Sequence, residues 1–191
     1  LEDIGLMKML PGMTVINTCD YNQTKAATIS ISNHNGPVYL RFGRPKVPNF
    51  TDPNQDFKIG KGVKLIDGND VTIVATGHLV WEAIESCNQL KKEGISAELI
   101  NIHTIKPLDE KIILKSIVKT KCIVSAEEHN IIGGLGESIS SILVRNNLVP
   151  MEFVGVEDSF GESGTPTQLM NKYGLSSEKI TEKCKKVILR K

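Results

Sequence analysis

From Val71 onward, short apolar runs alternate with amphipathic stretches, and that alternation limits what the chain can fold into more than any other property. Val71 to Ala75, Ala97 to Ile102, Cys122 to Ser125 and Glu152 to Val156 are short enough for strands. They are also apolar enough to be covered on both faces. Between the first two, His78 to Glu93 carries Val80, Ala83, Ile84, Cys87 and Leu90 at helical spacing and closes on Gly94. A second helix spans about Leu108 to Lys119, with Pro107 suited to its first turn, and a third follows Gly136. A fourth begins near Ser177 and carries Ile180, Cys184, Val187 and Ile188 on one stripe. Such a pattern makes a predominantly parallel sheet with helices on both faces. The expected fold is α/β, with a mostly parallel, mixed five-stranded sheet. Its fifth strand is Val63 to Ile66, and Asp67-Gly68-Asn69-Asp70 is a hairpin signal, so Val63 to Ile66 and Val71 to Ala75 are expected to pair as an antiparallel edge.

Upstream the pattern is incomplete. Residues 45–57 shift to Pro45, Pro48, Pro53, Asn49, Asn54 and Asp52 and read as a linker. Before it, Leu1 to Leu10 is apolar on one side, Pro11-Gly12 breaks it, and Thr14 to Thr18 is β-branched. Asp20 is suited to cap a following helix. Thr28 to Ser32 alternates like a strand, while Ala26, Ala27 and Ile31 suit a helix, so both readings stand. Val38 to Phe42 is a strand with Val38, Leu40 and Phe42 on one face and Tyr39 and Arg41 on the other. Four such elements are too few to bury a sheet. The segment before the linker is therefore only a partial unit, expected to pack on the complete α/β domain that follows the linker, on a preceding part, or on both. Leu1-Glu2-Asp3 fits a start inside a longer chain.

Lys plus Arg is 23 against 22 for Asp plus Glu, a net charge of +1 that offers no field for nucleic acid or an anionic membrane. No apolar run approaches the roughly 18 residues of a membrane span. Cys19, Cys87, Cys122 and Cys184 lie far apart without a CxxC, which argues against zinc and a disulfide framework and for a reducing cytoplasm. Cys87 and Cys184 fall on helical apolar stripes and read as core residues.

Three polar clusters remain, each with a functional and a structural reading. Thr76-Gly77-His78 lies between a strand and a helix N-terminus, where an anion could sit, although any α/β turn needs such residues. Glu127-Glu128-His129, followed by Gly133-Gly134-Leu135-Gly136, falls where open α/β sheets place their sites. Adjacent residues point in different directions, so they make a poor metal site, and a structural turn or an interface contact is the favoured reading. Arg41 and Arg44 could hold a phosphate bidentately or be ion-paired at the surface. Residues alone give no catalytic constellation, and His34, His78 and His103 are isolated.

Several strings together resemble the C-terminal part of the transketolase family, thiamine-diphosphate-dependent enzymes, and look most like the C-terminal subunit of split transketolases. They are Leu1-Glu2-Asp3-Ile4-Gly5-Leu6-Met7, Gly36-Pro37-Val38-Tyr39-Leu40-Arg41-Phe42-Gly43-Arg44, Asp70-Val71-Thr72-Ile73-Val74-Ala75-Thr76-Gly77, His103-Thr104-Ile105-Lys106-Pro107-Leu108-Asp109, the Glu127 to Gly136 string, and Phe160-Gly161-Glu162-Ser163-Gly164. The resemblance implies that residues 1–44 end a pyrimidine-binding domain and that 58–191 form the transketolase C-terminal domain. It implies ketol transfer between phosphorylated sugars, as in the pentose phosphate pathway, by a cytoplasmic homodimer. Thiamine diphosphate and Mg would be held by an N-terminal thiamine-binding partner; no cofactor, metal ligand or catalytic residue is expected in this chain, which alone should be inactive. Arg44, with Arg41 as the first residue of an R-x-x-R pattern, would contact the sugar phosphate. Glu127, Glu128 and His129 would serve packing. The alternatives are a 1-deoxy-D-xylulose-5-phosphate synthase and a non-catalytic assembly module of the same fold.

Overall fold

The computed structural model describes all 191 residues. In chain order the elements are α1 (Asp3–Met9), β1 (Thr14–Thr18), α2 (Tyr21–Ile31), β2 (Val38–Phe42), β3 (Val63–Ile66), β4 (Val71–Ala75), α3 (Leu79–Lys92), β5 (Ala97–Asn101), β6 (Thr104–Lys106), α4 (Glu110–Thr120), β7 (Ile123–Asn130), α5 (Leu135–Asn146), β8 (Met151–Val156), α6 (Pro166–Lys172) and α7 (Ser177–Ile188). The larger sheet has the order β3-β5-β4-β7-β8, with β4, β5, β7 and β8 parallel and β3 antiparallel at one edge. Period-two alternation sends Val71, Ile73 and Ala75 into a core with α3 and α7, and Val74 into a second core with α4 and α5. This is the mixed five-stranded sheet covered on both faces that the alternation predicts.

The antiparallel edge is present, but the β3–β4 hairpin is not. β5 lies between the two strands, and β3 pairs with β5. Asp67–Asp70 is pinned to the start of β5 instead of closing a hairpin: Asn69 N and Asp70 N donate to Ser96 O at 3.0 and 2.8 Å, and Ser96 N donates to the Asp70 carboxylate at 2.7 Å. At Gly68 a Cβ would lie 2.1 Å from the Ala97 carbonyl carbon, so the turn crosses directly over β5. The ambiguous Thr28 to Ser32 resolves into helix: α2 runs through Ile31, capped by Asp20, which accepts from Gln23 N at 2.8 Å.

Two elements have no counterpart in the sequence pattern. α6 carries a Thr165/Gln168 capping box with Pro166 in its first turn. β6 follows β5 almost at once and leaves the large sheet to pair antiparallel with β1, making a second sheet of order β2-β1-β6. The N-terminal segment is thus completed by a strand from later in the chain. Residues 45–57 are also held: Asp20 accepts from Phe50 N, Thr51 N and Thr51 Oγ1 at 2.9, 2.8 and 2.7 Å, and the Phe57 ring lies 4.1 Å from His103.

Candidate functional site

β7 runs five residues further than the apolar run Cys122 to Ser125 suggests, so Glu127, Glu128 and His129 belong to its C-terminal end rather than to a turn. Glu127 is fully buried and accepts from Leu135 N at 2.6 Å and Gly136 N at 2.8 Å, the first two amides of α5. Its carboxylate takes the place of a helix cap. Burial pushes its pKa up to about 7, against the pull of those amides and the charges of Lys8 and Arg41. Gly134 follows from this contact, since a Cβ there would lie 2.2 Å from Glu127 Oε2, whereas Gly136 makes room for the Phe153 ring, 2.4 Å from where its Cβ would be.

His129 Nδ1 donates to the Asn130 carbonyl at 2.7 Å, which leaves Nε2 to accept from Gly5 N at 3.3 Å. Burial lowers its pKa, so the ring is neutral. Gly5 belongs to α1, and most polar contacts of this cluster lead to that helix. Lys8 Nζ donates to Gly133 O, Gly134 O and Ser138 Oγ at 2.7, 2.7 and 2.5 Å, and Lys106 Nζ covers the end of α1 through Lys8 O and Leu10 O at 2.8 and 2.7 Å. Tyr39 Oη and Arg41 Nε both donate to Asp3 Oδ2, at 2.8 and 2.9 Å, as their shared strand face predicts. Arg41 Nη2 also donates to Glu128 O at 3.0 Å. Burial would raise the Asp3 carboxyl, but the Arg41 guanidinium and the Tyr39 hydroxyl outweigh it and hold it below the usual range. The Glu127 to Gly136 string and Arg41 therefore work together as an internal dock for α1. Lys8 and Lys106 are members of it that the sequence did not single out, because nothing local marks contacts 96 to 130 residues apart.

Arg44 is placed differently. It lies two residues past β2, is exposed, and lines a cleft of about 490 Å³ with Leu1, Glu128, Glu162, Leu169 and Tyr173. No ion pair within the chain uses it. A second cavity, of about 450 Å³, opens on the other side of Gly43 and Pro45, and His78 and Lys46 line it. Gly77 does not open into it: a Cβ there would meet the Asn17 amide at 2.4 Å, so the corner of the Thr76-Gly77-His78 turn is filled by β1. No group of three His, Cys, Asp or Glu side chains is placed to hold a metal ion, and all four cysteines are free and buried. Burial raises the Cys87 pKa to about 12 and that of Cys122 to about 11, far from a nucleophilic thiolate. No helix is long and apolar enough to cross a membrane.

Residues 60–180 match the family described as transketolase, C-terminal domain. The chain belongs to that family. Over its full length it is 42% identical to the 6-deoxy-6-sulfo-D-fructose transketolase subunit SqwH of Clostridium sp. (strain MSTE9), covering 59% of that protein. It is 34% identical over 94% of its length to an apulose-4-phosphate transketolase polypeptide of Phocaeicola vulgatus, covering 58% of it. Among solved structures it is similar to a split gene transketolase in the form of an inactive beta4 tetramer, with a TM-score of 0.96 and 39% identity over 98% of this chain and 62% of that one. The chain thus spans less than two thirds of these transketolase relatives. Proteins named 1-deoxy-D-xylulose-5-phosphate synthase also match, one from Geobacter sulfurreducens at 33% identity over 93% of this chain and 29% of that protein.

Proposed function

We propose that this chain forms the C-terminal part of a thiamine-diphosphate-dependent transketolase that moves a two-carbon ketol unit between phosphorylated sugars. Residues 1–44 would be the tail of its pyrimidine-binding domain and 58–191 its C-terminal domain. The full cytoplasmic enzyme would be a homodimer completed by an N-terminal thiamine-binding part, which holds the cofactor and Mg. When bound, the cofactor supplies the carbanion chemistry. This chain's contribution is packing and positioning, and alone it is inactive.

The observation that carries the reading is Arg44, an exposed guanidinium without an ion-pair partner in the chain, set at a strand end beside a cleft. A planar guanidinium with free donors suits the anionic end of a sugar phosphate. Arg41 has the same chemistry, but its donors are engaged by Asp3 and Glu128, so we assign it to positioning the β2 end from which Arg44 projects. A sulfonate, the group in the name of the Clostridium relative, would suit Arg44 equally well.

The test mixes this chain with the thiamine-binding part from the same source and assays ketol transfer from xylulose 5-phosphate. Activity in the mixture alone supports the reading, whereas no complex and no activity would favour an assembly module. Arg44→Ala should lower kcat/KM for phosphorylated acceptors about tenfold more than for unphosphorylated ones, and an equal loss for both rejects the phosphate role. The R-x-x-R pattern of Arg41 and Arg44 favours a second reading, deoxyxylulose-phosphate synthase. Condensation of pyruvate with glyceraldehyde 3-phosphate by the same mixture would select it.

A further inference from the structure

The cavity on the far side of Gly43 joins the two parts of the chain. Its walls are the end of β1 and the start of α2 (Thr18, Asp20, Tyr21), the end of β2 and the following residues (Phe42, Gly43, Lys46), and His78 from the start of α3. Two of these are basic side chains, Lys46 and His78, and neither makes an ion pair within the chain. The one carboxylate in the lining, Asp20, is 4% exposed, and both of its oxygens are occupied: Oδ1 accepts from Gln23 N and Thr51 Oγ1, and Oδ2 from Phe50 N and Thr51 N, all within 2.9 Å. It therefore has little capacity left to pair with Lys46 or His78 across the cavity. Cys19, also in the lining, is held as a neutral thiol because burial raises its pKa. His78 lies beside the chain that carries Arg44: a Cβ on Gly43 would lie 3.4 Å from its Nδ1. The imidazole thus sits beside the backbone one residue before Arg44, and Lys46 follows two residues after it.

We propose that Lys46 and His78 line a binding site for a tetrahedral oxyanion, the phosphate or sulfonate end of a sugar, in this cavity. This goes beyond the reading of Arg44 as an anion contact, because His78 lies within the transketolase C-terminal domain. That domain then contributes a ligand-binding side chain as well as scaffold. A lysine ammonium and an imidazole N–H on one cavity suit a small oxyanion better than a long polymer.

The experiment uses the full chain and inorganic phosphate as the probe, with chloride at matched ionic strength as control. The side-chain resonance of His78, assigned with His78→Asn, should move saturably with phosphate, while His34, at the opposite end of β1, stays still. Lys46→Met should raise the half-saturating concentration about threefold. If the Arg44 Nε–Hε resonance responds while His78 stays still up to about 50 mM phosphate, the inference is overturned and the Arg44 assignment survives. A saturable response at His78 that Arg44→Ala leaves unchanged supports the pair of Lys46 and His78 as a site separate from the Arg44 cleft. Equal movement of His34 and His78 with chloride and with phosphate overturns the inference as a bulk salt effect.

Discussion

Acidification should weaken the joint between the two sheets through a single imidazole, His103. It is 2% exposed, packs 4.1 Å from the Phe57 ring and keeps one polar contact, Nδ1 to Thr104 Oγ1 at 2.9 Å. Its backbone carbonyl accepts from Asn17 N at 2.9 Å where β6 meets β1. Burial lowers its pKa from 6.5 to about 4. The unfolded chain therefore takes up the proton first, so the stabilising contribution is complete above pH 6.5, declines as the pH falls through that window and is gone below about 4. At about 1.4 kcal/mol per tenfold, the loss reaches roughly 2.5 kcal/mol by pH 4.5. Glu127 acts in the opposite sense: its pKa is raised to about 7, so the folded state favours its protonated form and is stabilised as the pH falls from 7 towards 4.5. The raw profile mixes the two, and the difference between wild type and His103→Phe isolates the imidazole. Phenylalanine keeps the ring contact with Phe57 and adds an offset from Thr104 that does not change with pH. Urea unfolding at steps from pH 7.5 to 4.5 should show wild type losing roughly 2.5 kcal/mol more than the variant. Parallel profiles, or an imidazole that titrates near 6.5 by NMR in the folded protein, would refute the assignment.

The dock of α1 and the two arginines give further expectations. Arg41→Ala should cost about 2–3 kcal/mol by strand-side loss of charge-assisted bonds to Asp3 and Glu128, while Arg44→Ala should change stability by less than about 0.5 kcal/mol; calorimetry on the pair checks both. Lys8→Met removes all three bonds to Gly133, Gly134 and Ser138, and should speed amide exchange across Ile4 to Met9 at least tenfold relative to β4, a ratio that hydrogen exchange reads directly. Gly134→Ala, at a backbone conformation alanine can adopt, should still lower stability by about 2 kcal/mol because the new methyl meets Glu127; an unchanged melting temperature would show that this carboxylate does not fill the space.

The large sheet was legible because its inner parallel strands β4, β5 and β7 are buried on both faces and each flanking helix carries one apolar stripe, so composition and period agree. Where they disagreed, tertiary contacts decided. Thr28 to Ser32 is helix because Asp20 starts α2 and Ala27 packs beneath β1 and β2 with Ile16. The Asp67–Asp70 turn looks like a hairpin in isolation, but its carboxylate and amides bind Ser96, a partner that no local signal reveals. β6 is three residues long and borrows its neighbour from the other end of the sequence. The arginines show the same limit at the candidate site. Arg41 and Arg44 are three apart and chemically identical, and the sequence supports one role for both. β2 ends at Phe42, so strand alternation still governs Arg41 and turns it with Tyr39 onto Asp3. Arg44 lies beyond the last paired residue, where that alternation no longer constrains it. The distinction between a side chain that holds the fold and one free to hold a ligand thus depends on where a strand stops, a boundary set by pairing with β1.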